Sequence, residues 1–319
     1  MIAARPIDAL RLIERGEREG VPGVLVTLTG IEGSSSRAIG TQMAVLADGR
    51  QVGSFSGGCV ERAIAAEALD VLAQGQPRMV RYGVGSPYFD VRLPCGGGID
   101  LLFTPRPDAA LVAEVITRVD QRVAAQLQLG DHEQTYLPGL RMVALGHGED
   151  LLALVRLARA YGIEVIAHAP RVGDGASRSG DGAPRSGDGA TTSDLSDEGI
   201  RPLLSPRQLP MLATDAWTAI VFVFHDRDWE EFLLPQALAL PAFYHGAVGS
   251  RRTHQTRIDR LHDARVPSWQ IDRLRGSIGL IPGTRNPATL ALSILAEVVQ
   301  DYDACAATMA WQPGVTTSA

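Results

Sequence analysis

The chain contains no lysine. All 30 of its basic residues are arginine. That absence excludes a Schiff-base lysine and a Walker A loop, whose lysine reaches the phosphates. A phosphate held here has to be met by arginine, hydroxyls, main-chain N–H groups or a metal. Cysteine is scarce too. Cys59, Cys95 and Cys305 are too few and too scattered for a disulfide framework or a zinc ribbon, and they are expected as thiols. Long apolar runs are missing, and no stretch approaches the roughly 20 residues that cross a bilayer. The first twenty residues mix charges with apolar positions at helical spacing, without the short apolar core of a signal peptide. The expectation is a cytoplasmic protein with no membrane partner. Net charge is −6, which argues against a nucleic-acid partner, because non-specific binding rests on positive charge.

What is present is a sizeable core. Hydrophobic residues make up 45% of the 319, enough for one large domain or two ordinary ones. The pattern predicts an α/β protein: a small α+β N-terminal domain, then a Rossmann-like, doubly wound parallel sheet. Residues 7–18 have the spacing of an amphipathic helix. GVLVTLTG (23–30) is apolar and β-rich, as a strand should be. Residues 42–58 suggest a hairpin with an Asp48-Gly49 turn, running into a helix that Gly75 and Pro77 end. RMVRYGV and GIDLLFTP are two further strands, with a glycine-rich loop between them. The boundaries drawn are 1–107 for the first domain, 108–138 for a helix and polar linker, 139–304 for the Rossmann-like domain and 305–319 for a loose tail. Within the second domain, residues 141–170 read as strand, Gly-x-Gly turn, helix and strand. TAIVFVFHD (218–226) is the continuous apolar strand of a sheet covered on both faces. Asn286 or Thr284 caps a final helix, with Pro287 in its first turn. Residues 171–199 repeat Gly-Asp-Gly-Ala every seven residues with almost no apolar content, which predicts a disordered insertion.

Four loops carry candidate chemistry. Gly57-Gly58-Cys59 stands at the predicted start of a helix. Glycines let a ligand approach the main chain, and a helix N-terminus favours a phosphate and lowers a thiol's pKa. Cys59 is either a reactive thiolate or a small buried filler. Cys95-Gly96-Gly97 repeats the arrangement, and two thiols beside glycine loops suit a soft metal centre or sulfur transfer. Ser34, Ser35 and Arg37 follow the first strand and offer hydroxyls and a guanidinium to an anion. The fourth, Gly146-His147-Gly148, hints at a dinucleotide. Glu149 and Asp150 stand where a pyrophosphate would sit, however, and the second strand offers His168 in place of an acidic ribose ligand. Tight NAD(P) binding is not expected. No acid/base pair or catalytic triad emerges.

These motifs resemble a known family. GSSSRAIGTQMAV, GSFSGGCVERAI and LPCGGGIDLLF are similar to the N-terminal domain of the xanthine dehydrogenase accessory protein (XdhC/CoxI) family. GHGEDLLALVRLARAYGIEVIAHAPR, FYHGAVGSRRTHQTRI and GLIPGTRNPATLALSILAE resemble its Rossmann domain. The resemblance implies a chaperone that binds molybdenum cofactor, a pyranopterin phosphate that is often the cytosine dinucleotide. It also implies protection of that cofactor while a cysteine desulfurase supplies sulfide. Insertion into an apo molybdenum hydroxylase would follow, of xanthine dehydrogenase, aldehyde oxidoreductase or carbon monoxide dehydrogenase type. Cys59 and Cys95 are the implied molybdenum contacts, and a homodimer is in keeping with the family. The chain departs from the family pattern at Ser36, where proline is usual. It departs again at the Gly146–Glu149 turn, and at Arg171, which lacks its acidic neighbour. Two rival readings are an NAD(P)-dependent oxidoreductase using the Rossmann-like domain, and a thiol redox or sulfur-transfer protein using both cysteines.

Overall fold

The apolar run at the start of the chain becomes the central strand of an antiparallel sheet. In the computed structural model, residues 5–310 are described except 57, 59, 87–95, 171–195 and 225–226. The side chains of 227 and 307–310 also lie outside the description. Helix α1 (Pro6–Arg18) precedes β1 (Gly23–Glu32), whose first six residues are buried. The expected hairpin forms from β2 (Gln42–Leu46) and a two-residue β3 (Gln51–Val52). After α2 (Glu61–Gln74) come β4 (Arg78–Gly83) and β5 (Gly98–Pro105). The sheet order is β3-β2-β1-β5-β4. Alternation in β1 sends Val24, Val26 and Leu28 to one face, where Ile64, Ala68 and Val71 of α2 cover them. Leu25 points the other way, into a cluster with Leu10 and Ile13 of α1 and with Val112 and Val115 of α3 (Ala109–Asp120).

The segment after α3 corrects the expectation of a polar linker. It is a hairpin, β6 (Ala125–Leu129) and β7 (His132–Tyr136). Ala125, Leu127 and Leu129 are buried while Gln126 and Gln128 are exposed, a period-two pattern that the glutamines disguise as polarity. The hairpin is tied to the sheet by a buried relay. Tyr136 donates to Gln42 Oε1 at 2.9 Å, and Gln42 Nε2 donates to Thr27 Oγ1 at 2.9 Å.

The chain divides at Pro138, and Gly139–Ala319 forms a second unit. Its elements are β8 (Arg141–Gly146), α4 (Gly148–Ala160), β9 (Glu164–Pro170), β10 (Arg201–Leu203), β11 (Thr218–Val223), α5 (Arg227–Leu238), β12 (Tyr244–Ala247), α6 (Arg251–Asp263), a one-turn α7 (Ser268–Ile271), β13 (Leu274–Gly276) and α8 (Pro287–Ala310). All six strands are parallel, in the order β10-β9-β8-β11-β12-β13. This is the Rossmann-like, doubly wound arrangement expected. Helices α4 and α8 cover one face through Leu151, Leu154, Val155, Ile294 and Val298. Helices α5 and α6 cover the other through Trp229, Leu233, Leu234 and Leu261.

Two further expectations meet the structure here. Residues 171–195 of the predicted insertion lie outside the described residues. Its end is described, and there Glu198 pairs with Arg156 at 2.6 Å and Arg159 at 3.3 Å. Asn286 caps α8, its Oδ1 accepting from the N–H groups of Ala288 and Thr289. That helix continues past 305, where a loose tail is expected from the sequence. The alanine-rich segment 304–310 has no glycine or proline to stop it.

Candidate functional site

The antiparallel order brings three loops to one end of the N-terminal sheet. The loop after β1 leaves from Glu32, which pairs with Gly98, the first residue of β5. The loop between β4 and β5 closes at the same place, since Gly83 also pairs with Gly98. The loop from β3 to α2 leaves from Val52, opposite Ala44 near the start of β2. The described parts of these loops, 33–41, 53–56, 58, 60, 84–86 and 96–97, are therefore neighbours by topology, and the loops carry the serine and glycine motifs.

Contacts join them. A Cβ on Gly97 would lie 2.5 Å from the Ser34 carbonyl oxygen and 2.7 Å from that of Glu32, so only glycine admits this approach. Ser36 donates from Oγ to the Phe55 carbonyl at 3.0 Å, a bond that the proline usual at this position could not make. Ser35 Oγ accepts from the Arg37 N–H at 3.2 Å. Arg81 anchors the edge of the cluster, pairing with Glu32 and, at 3.1 Å, with Asp100, while its Nε donates to the Val84 carbonyl at 2.8 Å.

Arg37 differs from Arg81. Its Nε donates to the Ser54 carbonyl at 3.0 Å and its Nη1 to the Ser36 carbonyl at 3.4 Å. Among the described residues it has no carboxylate partner. A half-buried guanidinium is thus held in place by two neutral acceptors, with its charge uncompensated and other N–H groups available. Gly97 belongs to the same cluster, while Gly96 beside it is exposed with open space on its side-chain side. Cys59, Cys95 and Gly57 lie outside the described residues. Gly58 and Val60, on either side of Cys59, are described and anchored: the Gly58 N–H donates to Glu61 at 2.7 Å and the Val60 N–H to Ser56 Oγ at 3.3 Å.

Models of known families match both halves: the XdhC and CoxI family over residues 17–83 and the XdhC Rossmann domain over 142–298. The molybdenum cofactor insertion chaperone PaoD of Escherichia coli strain K12 is 32% identical over 93% of this chain and 90% of its own length. The chain belongs to the XdhC and CoxI family. The uncharacterized protein YqeB of the same organism is 24% identical over 89% of this chain and 44% of its own length. A solved structure described as a xanthine dehydrogenase from Bacillus halodurans superposes with a TM-score of 0.70. It covers 94% of this chain and 96% of its own at 20% identity, a likeness of fold alone.

In this member of the XdhC and CoxI family the sequence reading missed Glu61. This first residue of α2 is buried, and its carboxylate turns back into the preceding loop. Oε1 accepts from the N–H groups of Phe55 at 3.0 Å and Ser56 at 2.8 Å and from Ser54 Oγ at 2.8 Å. Oε2 accepts from the Gly58 N–H at 2.7 Å and Ser56 Oγ at 3.0 Å. Burial on its own would raise the Glu61 pKa. The Ser56 N–H and the Ser54 hydroxyl outweigh it and hold the carboxyl at about 2. The available signal was a glutamate in the first helical turn after a Ser-x-Ser-Gly-Gly run, the reach-back half of a capping box.

The Gly146-His147-Gly148 turn joins β8 directly to α4, at the edge where the strand order reverses between β8 and β11. His147 is the N-cap, and its ring stacks at a tilt on Phe224, centroids 5.6 Å apart. Glu149 and Asp150 fill the first turn of the helix. His168 is buried in β9 beside Leu145. Burial and then the nearby Arg201 lower its pKa. The Gly249–Arg252 motif opens α6, with Ser250 Oγ capping the Thr253 N–H at 3.1 Å and both arginines exposed. Among the described residues no cluster of three or more histidine, cysteine, aspartate or glutamate side chains could hold a metal. Nor is any described helix long and apolar enough to cross a membrane.

Proposed function

We propose that this chain is a maturation factor for molybdenum cofactor, an accessory protein that holds the cofactor and inserts it into an apo molybdenum hydroxylase. Two supports meet. The near full-length relative at 32% identity is named for insertion of this cofactor. The observation that carries the reading is Arg37, a guanidinium with no carboxylate partner among the described residues, fixed where three loops converge. A pyranopterin phosphate is the kind of anion such a group holds, and in a lysine-free chain arginine is the side chain that offers it a permanent positive charge.

In this reading Arg37, Ser34 and Ser35 take the phosphate. Gly57, Gly58, Gly96 and Gly97 let the ligand lie against the main chain. Cys59 and Cys95 supply soft thiolates to the molybdenum. The cytosine dinucleotide form of the cofactor, exchange of an oxo ligand for sulfide by a cysteine desulfurase, a cytoplasmic location and a homodimeric state complete the proposal. The test is retention. Purified protein mixed with molybdenum cofactor carries it through gel filtration, and Cys59→Ala, Cys95→Ala and Arg37→Ala each weaken retention. For Arg37→Ala the expected loss is about tenfold or more, the usual worth of a hydrogen bond to a charged group. Equal retention by wild type and all three variants removes the site.

A further inference from the structure

We propose that Glu61 is a positioning residue: its carboxylate is a built-in anion that orders the Ser54–Gly58 turn and, through Ser54, aims Arg37. The cofactor-holding role of Arg37 rests on the reading above, whereas the ordering role of Glu61 does not.

The argument begins with the amides. A glycine turn ahead of a helix offers N–H groups that suit a phosphate. Here those of Phe55, Ser56 and Gly58 point at the Glu61 carboxylate. With the hydroxyls of Ser54 and Ser56, five described donors converge on one buried side chain. The turn is already filled by negative charge belonging to the protein, so a ligand phosphate has to find its positive partner elsewhere. Ser54 supplies the link. Its hydroxyl donates to Glu61 Oε1 at 2.8 Å, while its carbonyl accepts from Arg37 Nε at 3.0 Å. Ser36 adds a second tie, from its hydroxyl to the Phe55 carbonyl. The guanidinium is oriented by a turn that is itself oriented by the carboxylate.

Glutamine cannot replace Glu61. Its amide has one acceptor oxygen, and its NH2 would face either the Gly58 N–H or the Ser56 and Phe55 N–H groups. Alanine would leave a pocket lined by donors and matched to a small carboxylate.

The experiment follows amide hydrogen exchange at Phe55, Ser56 and Gly58 and the Arg37 Nε–H resonance by NMR. The samples are wild type, Glu61→Gln, and Glu61→Ala with and without formate. Both variants are expected to exchange about tenfold or more faster at the three amides and to shift or lose the Arg37 Nε–H signal, as removal of a charged acceptor implies. Formate restores both readouts in Glu61→Ala, and chloride at the same ionic strength does not. A general loosening of the fold would not respond to formate. Should Glu61→Ala fail to fold, Glu61→Gln, which keeps the volume, carries the exchange measurement. Unchanged exchange and an unchanged Arg37 signal in the variants, or equal rescue by chloride, overturn the proposal. Cofactor retention, run in parallel, falls about tenfold or more in both variants and recovers with formate in Glu61→Ala. If wild type retains no cofactor, the function proposed above fails, while the exchange data still decide what Glu61 does.

Discussion

Each unit of the chain joins a strand to a helix through a glycine turn, and each helix begins with an acid. In the N-terminal unit Glu61 is buried and accepts from five described donors in the turn before it. In the C-terminal unit Glu149 stands exposed in the first turn of α4. The first acid fills its turn from within. The second, with Asp150, places negative charge where a ligand's pyrophosphate would have to lie. The first turn has beside it Arg37, a cation with no carboxylate partner among the described residues. Similar glycine-and-acid signatures therefore support opposite proposals: an anion site built around side-chain charge in one unit, and a scaffold that disfavours anions in the other. If that contrast is right, perturbing the core of the second unit changes stability without touching cofactor retention.

The largest such effect is expected at the ion pair beneath α5 and α6. Arg257 donates to Glu230 from Nε at 3.0 Å and Nη2 at 2.9 Å, and both side chains are buried. Glu230→Ala leaves the guanidinium buried and without its carboxylate, at an expected cost of about 3–5 kcal/mol. Trp217, Trp229, Trp269 and Trp311 all belong to this unit, so urea unfolding followed by tryptophan fluorescence reports it selectively. The folded fraction should retain cofactor as wild type does. Lost retention in that fraction would break the division between the units.

Acid should separate the units next. Six of the seven histidines lie in the C-terminal unit, and only His132 lies in the other. His245 is buried in β12, with Nε2 3.1 Å from the Ala237 carbonyl. Burial first, and then the charge of Arg273, lower its pKa from 6.5 to about 4. Burial also lowers His168 and His254. Groups with depressed folded pKa values contribute stability above their unfolded values and lose it as pH falls towards the folded ones. For His245 the window runs from pH 6.5 down to about 4. Unfolding free energy read by tryptophan fluorescence should fall by about 3 kcal/mol across it. A flat profile through that window would mean that these rings are hydrated and take up protons without cost to the fold.

Much of this architecture was legible because burial writes itself as periodicity. The run at 218–223 is buried throughout, as a strand covered on both faces must be, and Asn286-Pro287 signalled the helix that follows it. The hairpin at 125–136 was not legible, since its outward Gln126 and Gln128 and the polar His132-Glu133 opening of its second strand look like linker. The extension of α8 past 305 was hidden by the mild composition of 304–310, which carries no strong hydrophobic stripe. In the site, glycines and serines named the loops that converge, because close approach demands small residues. Glu61 stayed hidden for a different reason. A glutamate in a first helical turn is ordinary, as it complements the helix dipole, and the serine and glycine run before it read first as a ligand loop rather than as donors for that acid.

The smallest effect belongs to the helix start that began the contrast. Neutralising it with Glu149→Gln and Asp150→Asn removes charges that favour the N-terminus of α4, at about 0.3–1 kcal/mol each. The fluorescence transition should move slightly towards lower urea. The same pair of changes removes the repulsion a pyrophosphate would meet, so calorimetry with NAD tests whether repulsion is the whole obstacle. It is not expected to be. The second strand ends in Ala167, His168, Ala169 and Pro170, with no carboxylate to grip a ribose, so the double variant should gain little affinity. Wild-type protein should show no binding in the micromolar range. If it does bind NAD there, the acids at 149 and 150 are tolerated by the ligand, and the C-terminal unit is a nucleotide site in its own right rather than a scaffold.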